Sequence, residues 1–191
     1  MYDIHPGDIK MGNIKVGNNE ISVGAILIAV GALAALISLF LGYVNYEYFA
    51  ILEWKTISMS GANVITGTLE LPGNAGEGIE WSFIHFAPLI VVITAIVGAV
   101  MAFVPMFAKI SNKKTYSIIL TVIMAISVIF AIVFVAMGAG AGLFAGDYAE
   151  LAKAALESEA IKMSLGAGAF VGLIGAIVGL VGAGISLKES L

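Results

Sequence analysis

The sequence predicts an all-α membrane protein: a bundle of four transmembrane helices, with a small outer β-hairpin or sheet and a short amphipathic helix. Of its 191 residues, 60% are hydrophobic and only 12% are charged, whereas soluble domains are about half apolar and a quarter charged. The apolar residues are concentrated in four long uncharged runs. Each run has roughly the twenty residues that a helix needs to cross a bilayer core.

The predicted segments follow from these runs and from the polar stretches between them. A polar leader precedes the first run, and Asn19 or Ser22 is a suitable N-cap for the first helix. The segments are a leader 1–20, a first span 21–43, a first outer loop 44–82, a second span 83–108, a connection 109–115, a third span 116–136, a second outer loop 137–163, a fourth span 164–187 and a tail 188–191.

The two outer loops have different compositions. The first begins with NYEYFAILEWKTISMS, which is rich in aromatic and β-branched residues and predicts strands. The alternation in 63–71 favours a further strand, which ends at Pro72. We therefore predict a hairpin or three-stranded sheet lying on the membrane. In the second loop, 147–162 has apolar residues at helical spacing opposite acidic ones, which predicts a short amphipathic helix.

The fourth span has a stripe of glycines along one helical face. Their spacing alternates between four and three residues, and the stripe consists of Gly168, Gly172, Gly175, Gly179 and Gly182. Because glycine lets two helices approach closely, the stripe is a packing surface within the chain or a self-association surface between chains. The first span also has many small residues, from Ala25 to Ala35. We therefore expect the last helix to pack on the first.

The lysines predict the orientation of the helices. The connection 109–115 is short and contains three lysines and no acid. Lysines in short loops are retained in the cytoplasm. With four spans, both termini are then cytoplasmic and the two acidic loops lie outside the cell membrane.

The spans offer no site for chemistry. No Asp, Glu, Lys or Arg falls within the interior of any span, which argues against proton-coupled transport and voltage sensing. We predict no catalytic, cofactor-binding or metal site, and no cofactor. The few hydroxyls inside are expected to bond their own helix backbone; they belong to Ser38, Thr94, Thr121 and Ser127.

Four residues are candidates for contacts at the outer face: Trp54, Trp81, Glu80 and His85. His85 and Glu80 form either a metal or proton site, or a junction in which an interfacial histidine hydrogen-bonds to the loop. We favour the second interpretation, because one histidine and one carboxylate fall short of a metal-ligand set. The acidic outer loops are a solvated face or a weak site for cations.

The order of four spans, with a large β-rich first loop that contains LEWKTISMSGANVITG, resembles the claudin-like tetraspan architecture and prokaryotic four-span proteins of similar outline. The resemblance covers the whole chain as an outline. Claudins carry a tryptophan followed by two cysteines in that loop. Here only Trp54 corresponds, and the chain has no cysteine. The resemblance therefore implies a fold, and the sealing or pore function of claudins is not carried over to this chain.

These observations favour a non-enzymatic membrane protein with a structural or scaffolding role, which presents its outer β-layer to partners. The alternatives are an accessory subunit of a larger membrane complex, such as a respiratory enzyme or transporter, and a small oligomeric channel. The expected partners are the lipid bilayer, copies of the same chain and other membrane subunits. A net charge of −4 and the lack of a basic patch argue against nucleic acid.

Overall fold

The computed structural model describes residues 14–16, 19–50, 52–68 and 80–191. Most of the predicted leader and the turn at Pro72 lie outside these ranges. The elements are β1 (Ile14–Val16), β2 (Asn19–Ile21), α1 (Val23–Ser38), β3 (Gly42–Ala50), β4 (Glu53–Ser60), α2 (Gly61–Thr66), α3 (Ala87–Phe107), α4 (Lys113–Met137), α5 (Gly146–Glu157), β5 (Ile161–Leu165) and α6 (Ala167–Ser190). Short 3₁₀ turns span Phe83–Phe86 and Ala141–Leu143.

Among the described residues, three helices are long and apolar enough to cross a membrane: Phe83–Phe107, which comprises the first 3₁₀ turn and α3, and helices α4 and α6. The helix of the first predicted span is shorter. α1 has 16 residues, which correspond to about 24 Å against a bilayer core of about 30 Å. Of the two predicted N-caps it uses Ser22, whose side chain accepts a hydrogen bond from the Ala25 N–H at 3.1 Å.

The predicted first span, 21–43, is wrong at its end. The helix stops at Ser38, and β3 begins at Gly42. Residues 39–41 are apolar, so hydropathy continues through the turn. The backbone leaves the helix because the aromatic and β-branched residues that follow pair with two other strands.

The helices pack as a bundle in which small residues face inward. α6 makes its most extensive contacts with α1 and α4, and α3 packs on α4 and α1. The inner faces meet in two clusters. The buried members of the cluster nearer the sheet are alanines and valines. The cluster further from the sheet contains Ile28, Leu120 and Met124. Large aliphatic side chains such as Leu33, Ile93 and Ile129 are exposed. This is the arrangement of helices that face lipid.

A three-stranded antiparallel sheet lies at one end of the bundle, in the order β4-β3-β5. The central strand pairs Tyr46 with Ile57 of β4 and with Met163 of β5. The third strand therefore comes from the second loop. The predicted helix 147–162 is wrong at its end, because α5 stops at Glu157 and the residues from Ile161 form β5.

The predicted strand at 63–71 is also wrong where the structure describes it. Residues Gly61–Thr66 form α2. Ser60 caps this helix by accepting from the Asn63 N–H at 3.2 Å, and Gly67 ends it with a φ of 64°. Capping at both ends and burial of Val64 outweigh the local alternation of the sequence.

Candidate functional site

The predicted glycine stripe lies on α1 along most of its length. A Cβ added to Gly175 would lie 2.8 Å from the Gly31 carbonyl oxygen and 2.9 Å from the Ala34 Cβ. One added to Gly182 would lie 2.6 Å from the Gly24 carbonyl oxygen. The two helices therefore touch through their backbones, and a side chain at either position would force them apart. A Cβ added to Gly179 would instead meet the Met124 side chain of α4, while one added to Gly31 would lie 2.8 Å from the Gly179 amide nitrogen.

At the sheet end of the stripe, the glycines form a socket for Tyr43, which lies near the start of β3. A Cβ on Gly168 would lie 2.6 Å from Tyr43 Cδ2, and one on Gly172 would lie 2.7 Å from the Tyr43 hydroxyl oxygen. That hydroxyl lies 2.8 Å from Ser38 Oγ. The ring packs edge-on against Phe134 at 5.2 Å between centroids. Burial raises the pKa of the Tyr43 hydroxyl, and the Ser38 hydrogen bond opposes this increase.

Glu80, Trp81 and His85 lie together in a junction below the sheet. The Trp81 ring centroid lies 5.5 Å from that of Phe144 and 6.1 Å from that of His85. A Cβ on Gly67 would lie 2.8 Å from Trp81 Nε1, so the indole covers the end of α2. The tryptophan thereby connects α2, the first turn before α3 and the segment before α5.

His85 and Glu80 each have a structural partner in this junction. His85 Nδ1 lies 2.5 Å from the Ser82 carbonyl oxygen. The Glu80 carboxylate contacts Gly146, the first residue of α5, where a negative charge stabilises a helix. Within the described ranges, no group of three or more His, Cys, Asp or Glu side chains is placed to hold a metal ion. Both contacts join side chains of the junction to neighbouring backbone.

Trp54 lies apart from this junction, at the far end of the β3–β4 hairpin. Its ring packs edge-on against Phe49, with centroids 5.7 Å apart, and Lys162 Nζ lies 4.5 Å from its centroid. The four candidate residues thus occupy two places. Three connect the loops to each other, and only Trp54 lies on an exposed end of the sheet.

No family model and no curated protein matches this chain. The hydroxyls inside the helices largely follow the prediction: Ser38, Thr94 and Thr121 donate to carbonyls of their own helices at 2.7–2.8 Å. Ser127 instead donates to the Val91 carbonyl of α3 at 3.2 Å, and so links α4 to α3.

Two tyrosines outside the predicted candidates hold notable positions in the structure. Tyr116 donates to the Met101 carbonyl of α3 at 2.7 Å. Proline at 105 has no N–H for that carbonyl, so the phenol replaces the missing donor; a proline four residues after Met101 is the signal. Tyr46 is buried in the sheet core, and its hydroxyl has no partner among the described residues. Burial raises its pKa.

Proposed function

We propose that the protein is a non-enzymatic scaffold of the cell membrane, whose helices hold a rigid β-layer on the outer side for a partner to contact. One observation carries the proposal: the sheet is assembled from both outer loops and is fixed to the bundle through the Tyr43 socket. A loop that served only to connect two spans would need neither a shared strand nor a socket.

The two faces of the sheet support this role. On the inner face Val44, Tyr46 and Met59 are buried, together with Phe144 and Leu143 from the second loop. Full burial of such side chains stabilises by about 1.5–3 kcal/mol each, which an isolated hairpin in water lacks. The alternate residues form the outer face, which is polar at Asn45, Glu47, Thr56, Ser58, Lys162 and Ser164 and apolar at Phe49 and Trp54. The inner face of the sheet is thus packed against the rest of the protein, and the outer face is available for contact with a partner.

The charges of the two ends support the proposed orientation. The sheet end has Glu47, Glu53, Glu80 and the acidic residues of α5, with three lysines among the described residues. The opposite end has Lys109, Lys113, Lys114 and Lys188. By the positive-inside tendency the sheet end lies outside. We include α1 among the spans because it packs along α6, and both termini are then cytoplasmic.

Single cysteines test this proposal cleanly, because the chain has none of its own. Thr56→Cys lies on the outer face of the sheet, and Lys113→Cys lies at the start of α4. In intact cells, a membrane-impermeant maleimide is expected to label Thr56→Cys and to label Lys113→Cys only after permeabilisation. Labelling of Lys113→Cys from outside would overturn the orientation.

The same variants test presentation to a partner. With a thiol-directed photocrosslinker in native membranes, Thr56→Cys is expected to give a discrete adduct, and an exposed position on α3, Ile93→Cys, is not. Adducts from Ile93→Cys alone would show that the protein meets its partner through the helices. That result would favour the accessory-subunit alternative over the scaffold.

A further inference from the structure

Four exposed lysines lie at the end of the bundle opposite the sheet, where α4 begins and α6 ends. The Thr121 hydroxyl of α4 donates to the Ala183 carbonyl of α6 at 3.4 Å. From this contact α4 extends about 10 Å to Lys114, and α6 extends about 8 Å to Lys188. The two helices therefore bring their lysines to a similar level. We call the four residues the lysine end: Lys109, Lys113, Lys114 and Lys188.

The level of the lysine end relative to a bilayer follows from the helices that flank it. Phe83–Phe107 and α4 are both long and apolar enough to cross a membrane, and only residues 108–112 connect them. A connection this short between two crossing helices has to lie at the level of the lipid headgroups. Phe107, the last residue of α3, is 84% exposed, and an exposed aromatic ring at the end of a crossing helix is typical of this level.

The lysine end is positively charged, with few acidic residues near it. Among the described residues at this end of the bundle, the acidic ones are Glu20 and Glu189, and Glu20 is opposite Lys15 in the register of β1 and β2. Within the described ranges, the only ion pair joins Lys55 to Glu53, at the sheet end. The protein itself therefore leaves most of this positive charge uncompensated.

Two of these lysines occupy positions where their charge is unfavourable for the helix. Lys113 and Lys114 are the first two residues of α4, and its first turn contains no acidic residue. Because the N-terminus of a helix carries a partial positive charge, lysines there destabilise the helix. Asn112 caps α4 by accepting a hydrogen bond from the Thr115 N–H at 3.0 Å, but this neutral cap does not offset the two charges. An external anion at the same level would offset them.

We propose that the lysine end binds an anionic phospholipid of the surrounding leaflet, with Lys113 and Lys114 at its phosphate group and Phe107 beside its acyl chains. Free phosphate offers the same chemistry, but the lipid is held at the level of the lysines and its local concentration there is high. Lysine stems lie along apolar surface while their ammonium groups reach the phosphates. The inference requires that the helices cross a membrane, and it is independent of the side on which the sheet lies.

Native mass spectrometry of the purified protein in a non-ionic detergent tests the preference directly. With phosphatidylglycerol and phosphatidylcholine present in equal amounts, we expect the wild-type protein to retain at least about three times more phosphatidylglycerol. Lys113→Gln/Lys114→Gln is expected to lose this preference. The matched control is Lys55→Gln/Lys153→Gln, which removes two exposed lysines at the sheet end and is expected to keep it.

Thermal unfolding separates lipid binding from the stability of the fold. Without lipid, Lys113→Gln/Lys114→Gln is expected to be at least as stable as the wild type, because two unfavourable charges have left the start of α4. With phosphatidylglycerol, the unfolding temperature of the wild type is expected to rise more than that of the variant. Lys113→Arg/Lys114→Arg keeps both charges and is expected to restore the lipid-dependent rise.

Three results would overturn the proposal. Equal retention of the two lipids by the wild type would show that the headgroup charge is not recognised. Equal loss of phosphatidylglycerol from the variant and from the control would show that net charge, and not the lysine end, attracts the lipid. If inorganic phosphate displaces the lipid and itself raises the unfolding temperature of the wild type, then the ligand is free phosphate and not a phospholipid.

Discussion

The two halves of this protein are held together by opposite means. In the bundle, α1 and α6 meet where side chains are missing, and backbone touches backbone at Gly31 and Gly175. In the sheet, β3 is fixed by large aromatic side chains, above all Tyr43 against Phe134. We therefore expect larger side chains to destabilise the bundle, and smaller side chains to destabilise the sheet.

Gly175→Leu is expected to have the largest effect, because its side chain would have to displace the α1 backbone. We expect a loss of stability of about 3 kcal/mol or more, or failure to accumulate, measured by thermal unfolding in detergent. The matched control is Gly184→Leu on the same helix, where a Cβ meets nothing within 4 Å. Equal stability of the two variants would show that the stripe is not a seam.

Tyr43→Ala tests the other half. Removal of the buried ring is expected to cost about 3 kcal/mol, and to release the sheet while the helices remain packed. Tyr43→Phe keeps the ring, loses only the hydrogen bond to Ser38, and is expected to cost about 1 kcal/mol. Protease accessibility of the sheet, compared with the unfolding temperature of the bundle, measures the two separately. A uniform loss in both would contradict an anchor specific to the sheet.

Sequence periodicity was sufficient for the bundle, because glycines at 168, 172 and 175 can share a face only on a helix. The periodicity was not sufficient to predict the strands of the sheet. The segment Ile161–Leu165 becomes a strand only because β3 lies beside it, and no pattern within five residues contains that pairing. For the same reason the sequence did not separate Trp54 from Trp81. They lie in one loop but reach different places through long-range contacts.

Tyr116→Phe is expected to cost about 1–2 kcal/mol, because it leaves the Met101 carbonyl without a donor. The test is a double-mutant cycle with Pro105→Ala, which restores a backbone N–H to that carbonyl. On the Pro105→Ala background the same tyrosine substitution is expected to be nearly neutral. Equal costs on both backgrounds would mean that the phenol acts through packing and not through this carbonyl.

Alkaline pH gives the smallest effect, confined to the sheet. The pKa values of Tyr43 and Tyr46 are raised by burial above the model-compound value of 10.0. The unfolded chain therefore loses these protons first, so their stabilising contribution is intact below pH 10 and declines as the pH rises above it. Tyr46→Phe removes a hydroxyl that has no partner among the described residues, and should flatten this decline without loss of stability at pH 8. An unchanged alkaline slope would contradict the prediction.

The continuity of helix and strand has a mechanical consequence. α1 leads into β3 and β5 leads into α6, so the two strands and the two helices form one long antiparallel pair. A pull on the sheet is transmitted along both arms of this pair. Both helices are then loaded in the same direction at the same end, so α1 and α6 move as one unit and the glycine seam between them is not sheared.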